Sequence, residues 1–213
     1  MLLPGQKFPE MEVHTTHGKL KLPLKQWFVL FTHPADFTPV CTTEFVEFAR
    51  MYELFKELGC ELIGLSLDQV YSHVKWMEWI RERLGYEIPF PIIADPEGKV
   101  ARTLGILGDG LPRAVLVVDK EDRVRASLVY PPKVGRNVQE IFRLVLALKT
   151  ADEQGVATPA NWWCDRLTWK SSTVVGNALI IPPASTLQEK EEREKKKQRG
   201  EIHCLDWWFC WQE

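Results

Sequence analysis

One cysteine of this sequence lies where the local pattern favours its reactive form. Cys41 ends the run His33-Pro34-Ala35-Asp36-Phe37-Thr38-Pro39-Val40-Cys41. Thr38 and Pro39 are typical of the cap and the first position of a helix, which places Cys41 in the first helical turn. Unpaired backbone N–H groups and the helix dipole stabilise a thiolate there, and the thiolate is the nucleophilic form. The pattern indicates redox or nucleophilic chemistry at Cys41, with a buried structural cysteine as the alternative.

The segments around Cys41 predict an α/β domain. An apolar run at 27–31 predicts a buried strand before Cys41, and an amphipathic run from about 43 to 58 predicts a helix after it. Further elements are expected as a hairpin at 13–20 with its turn at Gly18, strands at 60–67, 91–95, 114–118 and 124–129, and helices at 71–84, 99–104 and 138–148. Alternating strands and helices indicate crossover connections, and the last two strands add an antiparallel edge. This order is thioredoxin-like.

The Cys41 run resembles a known signature. Pro34, Thr38 and Cys41 match the Pro-x-x-x-Thr-x-x-Cys pattern of peroxiredoxins, and His33 and the following 42–45 stretch fit it as well. The sequence after Cys41 lacks the second cysteine of a Cys-x-x-Cys pair, which a dithiol reductase or isomerase needs to release its mixed disulfide. The resemblance extends over nearly the whole chain and is closest to archaeal members of the one-Cys-like group.

The resemblance implies roles for the residues next to Cys41. Cys41 is expected to be the peroxidatic nucleophile, and the Thr38 hydroxyl to contact the bound peroxide, although Thr38 can also be a plain helix cap. Pro34 is expected to shield the thiolate from water; ending a strand is an equally good local account of it. His33 is expected to contact Cys41 or its oxidised forms, and a purely structural histidine is the alternative.

Two arginines and one glutamate complete the expected site. Arg113 opens a predicted strand, where the family has an arginine that favours the thiolate and donates to peroxide oxygens. Arg136 resembles a second family arginine that supports the pocket. Glu44 lies one turn beyond Cys41 and is expected to orient an arginine. The alternative is an acidic residue that is simply favoured in the first turn by the helix dipole.

The other cysteines have separate expectations. Cys204 and Cys210 resemble the paired C-terminal cysteines of archaeal peroxiredoxins, which makes both of them candidates for resolving oxidised Cys41. Cys210 is favoured, across a dimer contact, with Cys204 then able to pair with it, and the sequence leaves open which of the two resolves. A metal-binding Cys-x5-Cys pair is the alternative, although it lacks two more well-spaced ligands beyond His203. Cys60 begins a predicted strand and is expected in the core, and the role of Cys164 stays open.

Composition sets the remaining expectations. The chain has 213 residues, a net charge of −2 and five cysteines, which gives no reason to expect nucleic acid or membrane as a partner and favours a cytoplasmic protein with reactive thiols. We expect a core domain over 1–150 and a C-terminal arm over 151–213 that takes part in dimer contacts. The family implies hydrogen peroxide and alkyl hydroperoxides as substrates, a thioredoxin- or glutaredoxin-like dithiol reductant, dimers assembled into a decamer ring, and no metal or organic cofactor.

Two other functions compete with that of a peroxidase. A peroxide sensor would pass its disulfide to another protein and show little turnover with a dithiol donor. A chaperone-like ring would hold unfolded proteins and survive loss of Cys41. The combination of Thr38, Cys41 and Arg113 favours the enzyme, because a chaperone needs none of these residues.

Overall fold

The computed structural model describes residues 1–162, 178–181, 184–206 and 209–212, which form two compact units, Met1–Val138 and Gln139–Glu213. The strands are β1 Met11–Thr15, β2 Gly18–Leu22, β3 Trp27–Thr32, β4 Cys60–Ser66, β5 Ile92–Ala94, β6 Arg113–Val118, β7 Val124–Tyr130, β8 Leu179–Ile181, β9 His203–Asp206 and β10 Phe209–Gln212. The helices are α1 Pro39–Glu57, α2 Val70–Leu84, α3 Lys99–Thr103, α4 Val138–Gln154 and α5 Leu187–Gln198. The expected boundary after residue 150 stays a prediction.

A seven-stranded sheet with the order β2-β1-β5-β4-β3-β6-β7 organises the first unit. Strands β3, β4 and β5 are parallel, while β6 pairs with β3 and β7 with β6 in antiparallel fashion. All six residues of β3 are buried, as expected for a central strand whose sequence is continuously apolar. The expected order of elements is confirmed, and the β1–β2 turn lies at Thr16–His17, so Gly18 opens β2.

Helix α2 packs on a face that differs from the expected one. Val74, Met77 and Ile80 recur at helical spacing, but Val74 is exposed, and the fully buried side chains are His73, Trp76 and Ile80. An apolar pattern does not predict the burial of His73 and Trp76, in which one nitrogen of each ring forms a hydrogen bond, His73 Nδ1 with Asp36 and Trp76 Nε1 with Thr42. The helix ends at Gly85 in the left-handed conformation, as the sequence predicts.

The second unit contains α4, a small sheet with the order β8-β10-β9, and α5. Thr186 caps α5 by accepting from the backbone N–H of Glu189, and no side chain of α5 is buried. Among the described residues, no helix combines the length and the hydropathy that crossing a membrane requires.

Candidate active site

Cys41 occupies the first turn of α1 and is fully buried. Thr38 is the N-cap residue and Pro39 the first helical residue, as predicted. The Thr38 side chain does not cap the helix, however, because its hydroxyl donates to the Ala35 carbonyl at 2.8 Å. The Thr42 hydroxyl donates to the Thr38 carbonyl at 2.8 Å and closes the same turn. Two side-chain hydrogen bonds, from Thr38 and Thr42, thus fix the first turn of α1, which contains Cys41.

Arg113 approaches Cys41 from the start of β6. Its Nη1 atom lies 3.3 Å from the Cys41 Sγ atom, and its side chain is almost fully buried. Thr32, at the end of β3, fixes this end of β6: its hydroxyl donates to the Pro112 carbonyl at 2.5 Å and accepts from the Ala114 N–H at 2.9 Å. A buried cation next to a sulfur favours the thiolate over the thiol.

Glu44 joins the two predicted arginines. Its Oε2 atom accepts from Arg113 Nη1 at 2.8 Å and from Arg136 Nη2 at 2.6 Å, while its Oε1 atom accepts from Arg136 Nε at 2.8 Å. Arg113 also donates from Nε and Nη2 to the Pro132 carbonyl, and Arg136 donates from Nη1 to the Ala114 carbonyl. Several fixed acceptors therefore determine the orientation of the guanidinium beside Cys41. Sequence reasoning placed these residues in one site. It did not predict that both arginines share the Glu44 carboxylate.

The His33 side chain is bonded to Asp36, a residue that sequence reasoning did not single out. His33 Nε2 lies 2.9 Å from Asp36 Oδ1, and His73 Nδ1 lies 2.8 Å from Asp36 Oδ2. All three residues are buried. Asp36 belongs to the Cys41 run itself, but its second partner comes from α2, 37 positions later in the chain. The expected role of His33 toward Cys41 stays a prediction.

The pKa values of His33 and Asp36 are both lowered in the folded chain. Burial lowers the pKa of His33 from its ordinary value, although the Asp36 carboxylate opposes this. Burial alone would raise the pKa of Asp36, but the hydrogen bonds from His33 and His73 outweigh it, and the pKa is lowered. His33 is therefore neutral and Asp36 ionised near pH 7.

The two shifts predict an acid-labile fold. The pKa of each group is higher in the unfolded chain than in the folded one, so protonation favours unfolding. The stabilisation from both groups is therefore present at pH 7. It declines below pH 6.5, the ordinary pKa of His33, and Asp36 adds to the loss below pH 3.8, its own ordinary pKa. We expect the urea midpoint of unfolding to fall between pH 7 and pH 5. His33→Gln, which can still donate to Asp36, should flatten that decline, whereas the exposed His14→Gln should retain it. An equal decline in both variants would contradict the prediction.

Trp76 links the helix start to His33. Its indole Nε1 donates to the Thr42 hydroxyl at 3.3 Å, and its ring stacks on the His33 ring with centroids 5.2 Å apart. His33 also contacts the Phe45 ring at 4.7 Å, edge to face. The ring of His33 therefore lies on the face of α1 that carries Cys41, because Phe45 is one turn beyond Cys41. Sequence reasoning gave Trp76 no role, although its place three residues after His73, on the same face of a predicted helix, was a usable signal.

The only metal-ligand cluster in the described part of the chain is formed by His33, Asp36 and His73, whose ligand atoms lie within 4.8 Å of one another. Two imidazoles and a carboxylate are ligand types that zinc accepts. Their nitrogen–oxygen distances of 2.8 to 3.0 Å are also those of ordinary hydrogen bonds, which satisfy the carboxylate without an ion.

The C-terminal cysteines form a disulfide. Cys204 in β9 and Cys210 in β10 face each other across the strand pair with Cα atoms 4.1 Å apart. Cys210 is fully buried, and both sulfurs are used, so this state offers no thiolate to a metal. Cys60 is buried and forms no disulfide, in agreement with its expected place in the core. Cys164 lies outside the described residues.

The sheet and the buried thiol beside a guanidinium define a thiol-dependent oxidoreductase on a thioredoxin-like scaffold. Two family models match the chain: the AhpC/TSA family over residues 4–127, and the C-terminal domain of 1-Cys peroxiredoxin over residues 147–197. A peroxiredoxin of Nanoarchaeum equitans is 60% identical over 99% of this chain and 98% of its own length. One of Methanocaldococcus jannaschii is 54% identical over 98% and 97%.

Solved structures agree with these sequence matches. The yeast mitochondrial 1-Cys peroxiredoxin superposes with a TM-score of 0.82 at 33% identity, covering 100% of this chain and 99% of that one. A mutant of the Peroxiredoxin 6 of Arenicola marina gives 0.82 at 30% identity, covering 100% and 98%. The chain belongs to the peroxiredoxin family and is a thiol peroxidase, and the predicted thioredoxin-like fold with a C-terminal extension is confirmed.

Proposed function

We propose that this chain reduces hydrogen peroxide and small organic hydroperoxides through Cys41. The observation that carries the proposal is the 3.3 Å contact between Arg113 Nη1 and Cys41 Sγ in a buried site. The Cys41 thiolate attacks the terminal peroxide oxygen, a sulfur–oxygen bond forms, and the oxygen–oxygen bond breaks. The leaving oxygen takes a proton and departs as water or an alcohol, which leaves a sulfenic acid on Cys41.

The neighbouring residues support this reaction. Arg113 supplies a fixed donor to the charge that develops on the peroxide oxygens, and Glu44 and Arg136 hold Arg113 in place. The Thr38 hydroxyl orients the peroxide and Pro34 limits the access of water, since both flank the start of α1. His33 contacts the oxidised forms of Cys41.

The resolving thiol of the proposed cycle is Cys210. Its thiolate attacks the Cys41 sulfenic acid and expels water, which leaves a Cys41–Cys210 disulfide that joins two chains of a dimer. Cys204 then attacks Cys210 and releases Cys41, so that the oxidation ends as the Cys204–Cys210 disulfide. The disulfide between these two residues in the structure supports this last step.

An external dithiol, thioredoxin- or glutaredoxin-like, reduces that disulfide. The related yeast structure concerns thiol resolution through glutathione and thioredoxin systems, which supports a reductant of this class. The proposed setting is a cytoplasmic homo-oligomer in which dimers form a ring of ten chains, as the family resemblance implies.

The test of this cycle is the variant Cys210→Ser. We expect steady-state peroxide consumption with a dithiol donor to be lost, because the thiol that opens the Cys41 sulfenic acid in the proposed cycle is absent. One rapid oxidation of Cys41 per chain should remain, measured by stopped-flow tryptophan fluorescence and by trapping the sulfenic acid with dimedone.

Cys60→Ala is the matched control and should retain turnover. Full turnover in Cys210→Ser would mean that Cys204 or an outside thiol resolves Cys41, and the double variant with Cys204→Ser separates the two. A wild-type chain that is oxidised once but does not turn over with any dithiol donor would favour a peroxide sensor instead.

A further inference from the structure

The Cys204–Cys210 disulfide lies across two strands of the small sheet in the second unit. In the strand order β8-β10-β9, Cys210 belongs to the central strand, and Cys204 belongs to a strand at the edge of the sheet that the described residues form. Cys210 pairs with Cys204 on one side and with Ile181 of β8 on the other. The sulfur–sulfur bond therefore runs from the centre of this sheet toward its edge, with the Cys204 sulfur at the outer end.

The two ends of this bond differ in their access to solvent. Cys210 is fully buried, whereas Cys204 is partly exposed. A disulfide is reduced by a thiolate that attacks one of its two sulfurs and forms a mixed disulfide with it, and the rate depends on which sulfur the thiolate reaches. A thiol that belongs to another molecule therefore meets the Cys204 sulfur first.

The direction of attack favours the same sulfur. The attacking thiolate approaches in line with the sulfur–sulfur bond, opposite the leaving sulfur, because its electron pair enters the antibonding orbital of that bond. For an attack on Cys204, the thiolate comes from the edge of the sheet. For an attack on Cys210, it comes from the side of β8, where Ile181 occupies the neighbouring position. An attack on Cys210 thus has to pass a paired strand, and an attack on Cys204 does not.

We propose that the dithiol donor attacks the Cys204 sulfur, so that Cys204 is the residue that receives electrons from outside the chain. This inference rests on the proposed function, in which the Cys204–Cys210 disulfide ends each oxidation. A sulfur–sulfur bond forms between the donor and Cys204, the bond to Cys210 breaks, and Cys210 leaves as a thiolate that takes a proton from water. The second thiolate of the donor then attacks the donor sulfur bonded to Cys204. Cys204 leaves and is protonated in the same way, the donor becomes a disulfide, and two electrons have passed to the chain.

This order of events gives the two cysteines different tasks. Cys210 reacts with Cys41 within the protein, and Cys204 reacts with the reductant. Cys210 is also the first of the two to be reduced, so the proposed resolving thiol is restored while the donor is still bound to Cys204. A chain whose resolving thiol is buried needs such a second cysteine, because the donor would otherwise have to reach a buried sulfur.

The test traps the donor on the sulfur that it attacks. The full-length Cys41→Ser chain is oxidised with diamide, and peptide mapping verifies the Cys204–Cys210 disulfide. The probe is a thioredoxin whose second active-site cysteine is replaced by serine, because it forms the mixed disulfide and does not complete the reduction. The reaction is quenched in acid at successive early times, and free thiols are then labelled with N-ethylmaleimide. Chymotrypsin puts the two cysteines on separate peptides by cleaving after the aromatic residues between them, Trp207, Trp208 and Phe209.

We expect thioredoxin on Cys204 and the label on Cys210. The excess over the reverse arrangement should be at least about tenfold, since a fully buried sulfur reacts only in the small fraction of chains that open locally. The matched control uses glutathione as the attacking thiol, on the same oxidised chain folded and unfolded in urea. Glutathione should bind Cys204 in the folded chain and divide between the two cysteines in the unfolded chain, where both sulfurs are exposed.

Three results would overturn the inference and leave the proposed role of Cys41 intact. One is thioredoxin on Cys210 at the earliest times, and another is a glutathione distribution that is the same in the folded and the unfolded chain. The third is a Cys41→Ser chain that forms no Cys204–Cys210 disulfide, or whose disulfide reacts with neither thiol. Absence of peroxide turnover in the wild-type chain would instead contradict the proposed function, because the trapping experiment needs no peroxide.

Discussion

Cys41→Ser is expected to reduce peroxide consumption to the background rate of the assay mixture. A serine hydroxyl stays protonated at pH 7 and is a poor nucleophile toward an oxygen–oxygen bond, whereas the thiolate is a strong one. The Arg113 Nη1 contact at 3.3 Å favours an anion at this position, and a serine at Cys41 does not supply one. The fold should be retained, because the substitution removes no hydrogen bond of the helix start.

The measurement is steady-state consumption of hydrogen peroxide with a dithiol donor, together with the circular dichroism of the variant. Cys60→Ala removes the other free cysteine of the described residues and should keep full turnover. Peroxide consumption that survives Cys41→Ser would overturn the assignment of the nucleophile. Prevention of client aggregation that survives Cys41→Ser and does not respond to peroxide would instead favour a chaperone-like function.

Glu44→Gln is expected to have the largest effect on stability. The carboxylate of Glu44 accepts four hydrogen bonds, three from Arg136 and one from Arg113, and all three side chains are buried. A glutamine removes the charge and turns an amide donor toward a guanidinium. Two buried cations then lose the carboxylate that they share, which costs about 3–5 kcal/mol of unfolding free energy. Activity should fall as well, because the guanidinium beside Cys41 loses its anchor.

Urea unfolding measures the stability, and the slope of the transition checks that the unfolded state is unchanged. Glu47→Gln is the matched control, because it lies on the same helix and pairs with Arg50 at the surface. A surface substitution of this kind should change the unfolding free energy by less than about 0.5 kcal/mol. A Glu44→Gln variant as stable as Glu47→Gln would show that the arginines find other acceptors.

Much of the fold follows from periodicity. Continuous apolar runs predict the buried strands, Gly85 predicts the end of α2, and Thr38 with Pro39 predicts the start of α1. The buried face of α2 does not follow, because His73 is polar in sequence and becomes buried only through Asp36. Such pairing depends on a residue 37 positions away, which no local pattern contains.

The site, too, has features that the sequence indicates and features that only the structure shows. The residue type of Cys41 and its place in the first turn of a helix indicate the nucleophile, whereas the roles of Glu44 and Arg113 are expected only from the family resemblance. The sequence does not indicate that Arg136 shares the Glu44 carboxylate, nor that Trp76 bonds Thr42, since these contacts arise when separate elements pack together. The nucleophile is thus visible in the sequence, and the particular hydrogen bonds that orient its neighbours become visible only in the folded chain.

The antiparallel pairing of β6 with β3 has a consequence for how insertions affect this enzyme. Successive side chains of a strand point to opposite faces, so a slip of one residue would turn Arg113 away from Cys41. The Thr32 hydroxyl holds the backbone on both sides of Arg113, at Pro112 and Ala114. A change of length in the connection between β5 and β6 is therefore compatible with catalysis only if the six residues of β6 keep their alignment with β3.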